Sequence, residues 1–358
     1  EGSTQWRMNL YRHDTHTKQW YTWANIPQNQ TIAGMAFMGI LNFEKPLKKS
    51  GKTVALIPYV GGSVQKDFDL DEQKNILNYG GDAKLSIGSG MNLDLTINPD
   101  FSQVEVDDQV INLSRFEISL PEKRQFFIQN SDLFVNFGDR REAQPFFSRR
   151  IGVAKDTAGT TFENKIIAGV RLSGKINNDL RLGFLNMQTA EDPTNQIAGN
   201  NNTVFTLQKK VLDRSNLGFI FVNRQTTGAP DFEHRQDSFN RVVGVDFNLA
   251  SKSNRWTGRT FLHQSFSPDK PKEAYASGLN LEYNARVHSV SYGAVRIGDN
   301  YQSDLGFIRR TGILKNYFRY TYRIWLKSKS LRSINLSQTF YYVGRPKDNY
   351  LLTDRGNW

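Results

Sequence analysis

Apolar residues recur at every second position through most of the second half of the chain. Leu217, Phe219 and Phe221 share one parity, and Val243, Val245, Phe247 and Leu249 repeat the pattern in the next run. Trp256, Leu262 and Phe266 then stand against Arg255, Thr257, Arg259 and His263. Leu279, Leu281 and Tyr283 follow, and then Val290, Tyr292 and Ala294. Phe318, Tyr320, Tyr322, Ile324 and Leu326 form the cleanest apolar series, interleaved with Arg319, Thr321, Arg323 and Trp325. Ile334, Leu336, Phe340 and Tyr342 close it. A period of two puts each set on one side of a sheet. Helical spacing is absent, so residues from about 165 onward predict successive antiparallel strands.

The connections between these runs sort by length. Tight links fall near Asn177-Asn178-Asp179, Asp213-Arg214-Ser215, Lys252-Ser253-Asn254, Ala285-Arg286-Val287 and Lys327-Ser328-Lys329. Longer polar links fall at about 189–202, 225–239, 267–274 and 298–311. Strict alternation of short and long links is what an up-and-down transmembrane β-barrel requires, with short turns at one surface and long loops at the other. A soluble sandwich has no reason to sort its loops this way.

The first half is less uniform. Residues 53–60 and 83–97 read as two further strands, with Gly88 and Gly90 marking a bulge or bend in the second. Residues 98–164 break the rhythm with Pro99, Pro121 and Pro145 and are too long for an ordinary turn. That stretch is expected to be an insert, lying in the lumen as a plug or folding at one mouth. Clear runs number about twelve, and bacterial barrels normally have an even count.

Composition narrows the chemistry. None of the 358 residues is Cys, which excludes disulfides, Cys-ligated zinc and thiol catalysis. The formal net charge of +11 suits anionic partners. No apolar run approaches the length of a spanning helix. Aromatic residues make up 12% of an otherwise polar chain, a level that fits the aromatic girdles of membrane barrels. Glu1 opens the chain without a start Met or leader pattern, and Asp354-Arg355-Gly356-Asn357-Trp358 reads as a turn, so both ends are expected to belong to a longer protein.

Catalytic signals are weak. His13 and His16 are spaced His-x-x-His in a region read as strand or turn, with no third ligand. Asp107 and Asp108 are adjacent, and neighbours in a strand face opposite ways, so a paired-carboxylate pocket is not expected. No phosphate-binding glycine loop, nucleophile elbow or nucleic-acid motif occurs. No cofactor, metal or nucleic-acid partner is expected. Glu122, Lys123, Arg124, Arg149 and Arg150, with Arg319 and Arg323, are the candidate lumen or plug network. An ion-pair network fixing the insert is preferred over a solute path. Trp20, Tyr21 and Trp23 are the candidate sugar-stacking residues, with plain packing the preferred reading. Basic residues at the short turns, among them Lys175, Lys209, Lys210 and Lys252, suit lipid phosphates or an acidic partner, with ordinary solubility an equal reading.

Several stretches resemble a known family. They are Leu95 to Asp107, Phe116-Glu117 with Pro121 to Phe127, Phe146 to Gly152, Gly183 to Ala190, Phe221 to Gln225, and Asn300-Tyr301 with Gly306 to Arg310. They span most of the chain in order and are similar to the uncharacterised DUF5916 family of Bacteroidetes. Its members are often called carbohydrate-binding family 9 domain-containing proteins. The resemblance implies an integral outer-membrane barrel preceded by a carbohydrate-binding β module. Residues 1–30 look like the tail of that module, and 31–358 like the barrel domain.

Function is expected in one of two classes. The first is a channel or accessory for glycan or solute handling, with an open lumen lined by Arg319 and Arg323. The second is an assembly or scaffold subunit of a larger outer-membrane complex, with the lumen blocked by the insert. A membrane-anchored glycan hydrolase ranks third. The expected partners are outer-membrane lipid and lipopolysaccharide, glycans, and other outer-membrane or periplasmic proteins.

Overall fold

The computed structural model describes residues 4–26, 37–46, 54–67, 72–99, 120–155, 161–228, 238–268, 272–327, 331, 333–348 and 350–357. The chain divides into two compact units, Glu1–Thr53 and Val54–Trp358. The first contains β1 (Gln5–Met8), β2 (Tyr11–Asp14), β3 (Gln19–Thr22) and β4 (Gly39–Asn42). β1 pairs antiparallel with β4, and β2 forms a hairpin with β3.

The second unit is built on a 14-stranded antiparallel sheet. Its first strands are β5 (Val54–Asp67), β6 (Glu72–Ile87) and β7 (Met91–Ile97). After β7 come two short helices, α1 (Gln125–Ile128) and α2 (Asp132–Val135), then β8 (Ala143–Gln144), β9 (Val153–Lys155) and β10 (Thr161–Glu163). The sheet resumes with β11 (Ile166–Lys175), β12 (Leu180–Thr189), β13 (Gly199–Val211) and β14 (Ser215–Thr227). It continues through β15 (Phe239–Ala250), β16 (Trp256–Phe266), β17 (Tyr275–Asn284) and β18 (His288–Ile297). β19 (Phe307–Ile308) lies in the following loop and pairs with β8. β20 (Ile313–Trp325), β21 (Ser333–Arg345) and β22 (Tyr350–Asn357) complete the series.

Sheet neighbours are consecutive in sequence except that β7 pairs directly with β11, leaving the described residues between them, 98–99, 120–155 and 161–165, outside that sheet, and β18 pairs with β20. This is the up-and-down order that the pattern predicts. The order ends at β5 on one side and β22 on the other, and no pairing joins these two among the described residues. Short links 88–90, 176–179, 212–214, 251–255 and 285–287 join strands at one end of the sheet; the strand ends connected through 190–198, 228–238, 267–274 and 298–312 are at the other. The link 346–349 is short although it belongs to the long-loop end.

Three sequence-based expectations change. Residues 83–97 are not one bulged strand: Gly88, at φ 62°, sits in a tight turn between β6 and β7. That conformation favours glycine, which has no Cβ to clash. The loop expected at 189–202 is shorter, because β13 already begins at Gly199. Asn200, Asn201, Asn202 and Thr203 carry no apolar alternation, yet three of their side chains bond across the strands: the Asn186 amide donates to Asn201 and Thr203, and Arg224 donates to Asn200. The segment from Asp354 to Asn357 belongs to strand β22, paired to β21. There cross-strand pairing overrides the turn preference of Asp, Gly and Asn.

The alternation has an unusual sense. One face carries Leu217 and Phe219 on β14, Val245 on β15, Leu262 on β16, Tyr292 on β18 and Phe340 on β21, all exposed. They stand opposite one another across the strands: Phe219 faces Val245, Val245 faces Leu262, and Phe318 faces Tyr292 and Phe340. The other face buries polar groups instead, including Asp94, Arg171, Thr206, Asn240, Asp246, His263 and Ser265. Against this polar face lies the core: Phe126, Phe127, Leu133, Phe134, Phe137 and Phe146 of the insert pack with Leu185, Met187, Val204, Ile220, Val222 and Val242 of the strands. Each such side chain contributes about 1.5–3 kcal/mol when fully buried.

Candidate functional site

The described part of the insert, residues 120–155, is seated on the polar face by three kinds of contact. The first is aromatic. A Cβ on Gly183 would lie 2.9 Å from the Phe134 ring, and one on Gly218 would lie 2.9 Å from the Phe137 ring. These two glycines leave hollows in β12 and β14 that the insert's rings fill.

The second is ionic. Arg171 on β11 and Asp94 on β7 form an ion pair at 2.8 Å with side chains 1% and 3% exposed. Arg171 also donates to the Gln129 carbonyl of the insert at 2.8 Å. Arg181 on β12 holds Asp132 of α2 at 2.6 Å. On the far side of the sheet, Lys315 of β20 donates to the fully buried Glu142 at 3.0 Å, with Arg310 3.6 Å away. A carboxylate so buried is tolerable only with cations around it.

The third is a hydrogen-bonded chain. His263 Nε2 meets Asp246 Oδ1 at 2.7 Å, and both side chains are fully buried. Asp246 Oδ2 accepts the Gly138 N–H at 2.8 Å, and Arg259 donates to the Gly138 carbonyl at 3.0 Å. The segment from Gln129 to Glu142 therefore touches strands from β11 to β20, which requires the sheet to curl around it.

Within the insert, Glu122 pairs with Arg124, while Arg149 and Arg150 each hold a backbone carbonyl. Arg124 grips Glu122 through two nitrogens at 2.8 Å and donates to the carbonyls of Ile151 and Ser148 at 2.7 Å. Burial pushes the Glu122 carboxyl up. The Arg124 hydrogen bonds and charge, with the Ser148 hydroxyl, outweigh it and hold Glu122 below the ordinary glutamate value. Arg149 donates to the Pro121 carbonyl and Arg150 to the Gly306 carbonyl, both at 3.0 Å. Lys123 is half-buried beside Glu122, whose side chain accepts the Lys123 backbone N–H.

Arg319 and Arg323 are not part of this cluster. Both lie on β20, where Arg319 donates to Thr339 and Arg323 to Asn284 and the Ala285 carbonyl. Sequence reasoning missed Asp94, Arg171, Asp246, His263 and Glu142. The acids at polar-parity positions of apolar strands were a usable signal, but their partners depend on strand register.

Two cavities flank the insert. One, of about 760 Å³, lies at the long-loop end and is lined by Arg150, Asn200, Arg224, Tyr301, Asp304 and Arg310, among others. In its wall Arg224 pairs with Asp304 at 2.6 Å. The Tyr301 hydroxyl is buried without a hydrogen-bond partner, and burial together with the Asp246 charge raises its pKa. The second cavity lies on the other side of Gly138 and includes Arg319.

In the first unit, Trp20 stacks on His13 with ring centroids 4.3 Å apart and touches Tyr11 at 5.6 Å. Arg12 pairs with Tyr21, so Tyr21 lies on the opposite face of this hairpin. The Trp23 ring covers Gly39. All three candidate stacking residues are more than half exposed. His16 donates its backbone N–H to Asp14 in the turn, which lowers the Asp14 pKa. Among the described residues no three metal-ligating side chains come together. Asp107, Asp108 and His234 lie outside the described residues.

No helix among the described residues is long and apolar enough to cross a membrane. Among curated proteins none matches the chain. Among solved structures, the crystal structure of Acinetobacter baumannii OccAB2 is similar at 11% identity over 86% of this chain and 85% of that one, with a TM-score of 0.32. Similarity at that level carries no structural argument. The family described as "Domain of unknown function (DUF5916)" matches residues 53–355, and the chain belongs to that family.

Proposed function

We propose that the sheet closes into an outer-membrane β-barrel stoppered by residues 120–155, and that the protein is a non-conducting assembly or scaffold subunit of a larger envelope complex. The observation that carries this reading is the seating of the insert. Its aromatic rings and buried charges engage the polar face from β11 to β20, which a transient visitor to an open pore would not do. The inverted burial supports the membrane part: apolar side chains are exposed on one face while charges are buried on the other. Lipid is the medium in which that outer face costs nothing. The strands, most of them ten to thirteen residues from β11 to β21, suit a tilted crossing of the hydrocarbon layer. A channel or glycan-handling role keeps one supporting observation, the polar cavity at the long-loop end of the insert.

Planar-bilayer recording tests the proposal. The native protein is expected to insert without steady conductance, and a variant with both hollows filled, G183V/G218L, to open. Steady conductance of the native protein would favour the channel instead. Purification from native membranes is expected to bring a stoichiometric protein partner with it.

A further inference from the structure

We propose that the cavity on the short-turn side of the insert binds a multivalent oxyanion, a carboxylate- or phosphate-bearing solute of roughly drug size. The cavity has a volume of about 940 Å³, within the range of ordinary ligand sites. Its basic lining consists of Arg140, Arg141, Arg259, Lys315 and Arg319, against one carboxylate, Asp139.

The partners of these groups decide what remains for a ligand. Lys315 is neutralised by Glu142. Arg259 is held by neutral groups, Asn248 and the Gly138 carbonyl, which fix its position and leave its charge uncompensated. Among the described residues no carboxylate pairs with Arg140, Arg141 or Arg319, and all three are exposed to the cavity's solvent. Arg319 is steadied by Thr339 and lies over the Tyr317 ring at 5.6 Å. Asp139 is occupied in its own turn, where it accepts the backbone N–H groups of Arg141 and Glu142 at 2.8 and 3.0 Å.

Four guanidinium groups thus line one concave space with Asp139 as the single carboxylate against them, and its low-dielectric walls focus their net positive field. Guanidinium forks match the geometry of carboxylate and phosphate and bind them bidentately. Like charges sharing one cavity repel, so a bound anion would relieve that repulsion. Tyr317 and Tyr341 in the wall, beneath Arg319 and Lys315, add aromatic surface beside the charges. The site needs only the curled sheet and the insert, and it stands whether or not the sheet closes in a membrane.

Isothermal titration of the whole detergent-solubilised chain tests the site, with trigalacturonate as the carboxylate probe, tripolyphosphate as the phosphate probe and maltotriose as the neutral control. At least one anion is expected to bind, maltotriose is not, and affinity is expected to fall steeply between 50 and 300 mM salt. Which anion binds identifies the carboxylate or phosphate class. R140A/R141A, on an exposed turn, is expected to weaken binding tenfold or more, and R319K to weaken it while keeping the charge. Maltotriose binding as tightly as the anions, no anion binding at all, or anion affinity unchanged in both variants would overturn the proposal. These readouts need no conductance, so their failure is distinct from failure of the stoppered-barrel reading.

Discussion

Asp94 and Arg171 show how much a single register decides. Asp94 sits between Leu93 and Leu95, so its polar parity is legible in the sequence, but only the pairing of β7 with β11 sets Arg171 opposite it. Removing one partner leaves a charge buried and uncompensated, which costs about 3–5 kcal/mol. R171M is therefore expected to lower the urea midpoint by that equivalent, while D94N/R171M recovers much of the loss, as read by unfolding in detergent. Glu122 makes a pH-dependent case. Its folded pKa is depressed by Arg124 and Ser148, so its contribution is complete above the ordinary glutamate value and is lost as pH falls through the depressed one. Stability of the native protein is expected to fall more steeply below about pH 4.5 than that of E122Q, which thermal melts across pH 3–7 would resolve.

At the scale of elements, the strands of the second half were legible because their period of two is long and clean. The insert was legible only as an interruption. Its helices span one turn each and are too short for a helical period to emerge, and what fixes them is tertiary. Phe134 and Phe137 lodge over Gly183 and Gly218, a match visible only once β12 and β14 are aligned. The candidate charged residues separated for the same reason. Glu122 and Arg124 pair in the insert, with Arg149 on the Pro121 carbonyl and Arg150 reaching out to Gly306, whereas Arg319 and Arg323 belong to β20 and a different wall. Filling a hollow tests whether the insert depends on it. G218L drives a side chain into the Phe137 ring, and overpacking of this kind costs typically 1–3 kcal/mol. Residues 138–141 are then expected to loosen, with trypsin cutting after Arg140 or Arg141 at least several-fold faster than in the native protein while the sheet keeps its far-ultraviolet spectrum.

At the scale of the whole molecule, the sense of the alternation matters more than its presence. A soluble sheet hides its apolar face; this one exposes Val245, 46% accessible, with Phe219 and Leu262 beside it, and hides Asp246 next to it in sequence. The period alone finds the two faces without saying which one meets the core; the alternation of link lengths is what points the polar parity of Arg319 and Arg323 inward. The presence of an insert able to cover the polar face decides it. Water and lipid then make opposite demands on one substitution. If water surrounds the outer face, V245R at an exposed site changes stability by less than about 0.5 kcal/mol. If lipid surrounds it, an arginine near the midplane costs about 2–4 kcal/mol. The cost should shrink toward the strand ends, so T260R, which replaces the residue opposite Phe247 nearer the short turns, should be milder. Guanidinium unfolding in phospholipid vesicles, with D213R on a short turn as the reference, is expected to give the larger cost for V245R and a graded one for T260R. Equal stability of all three in vesicles would mean that lipid does not touch this face.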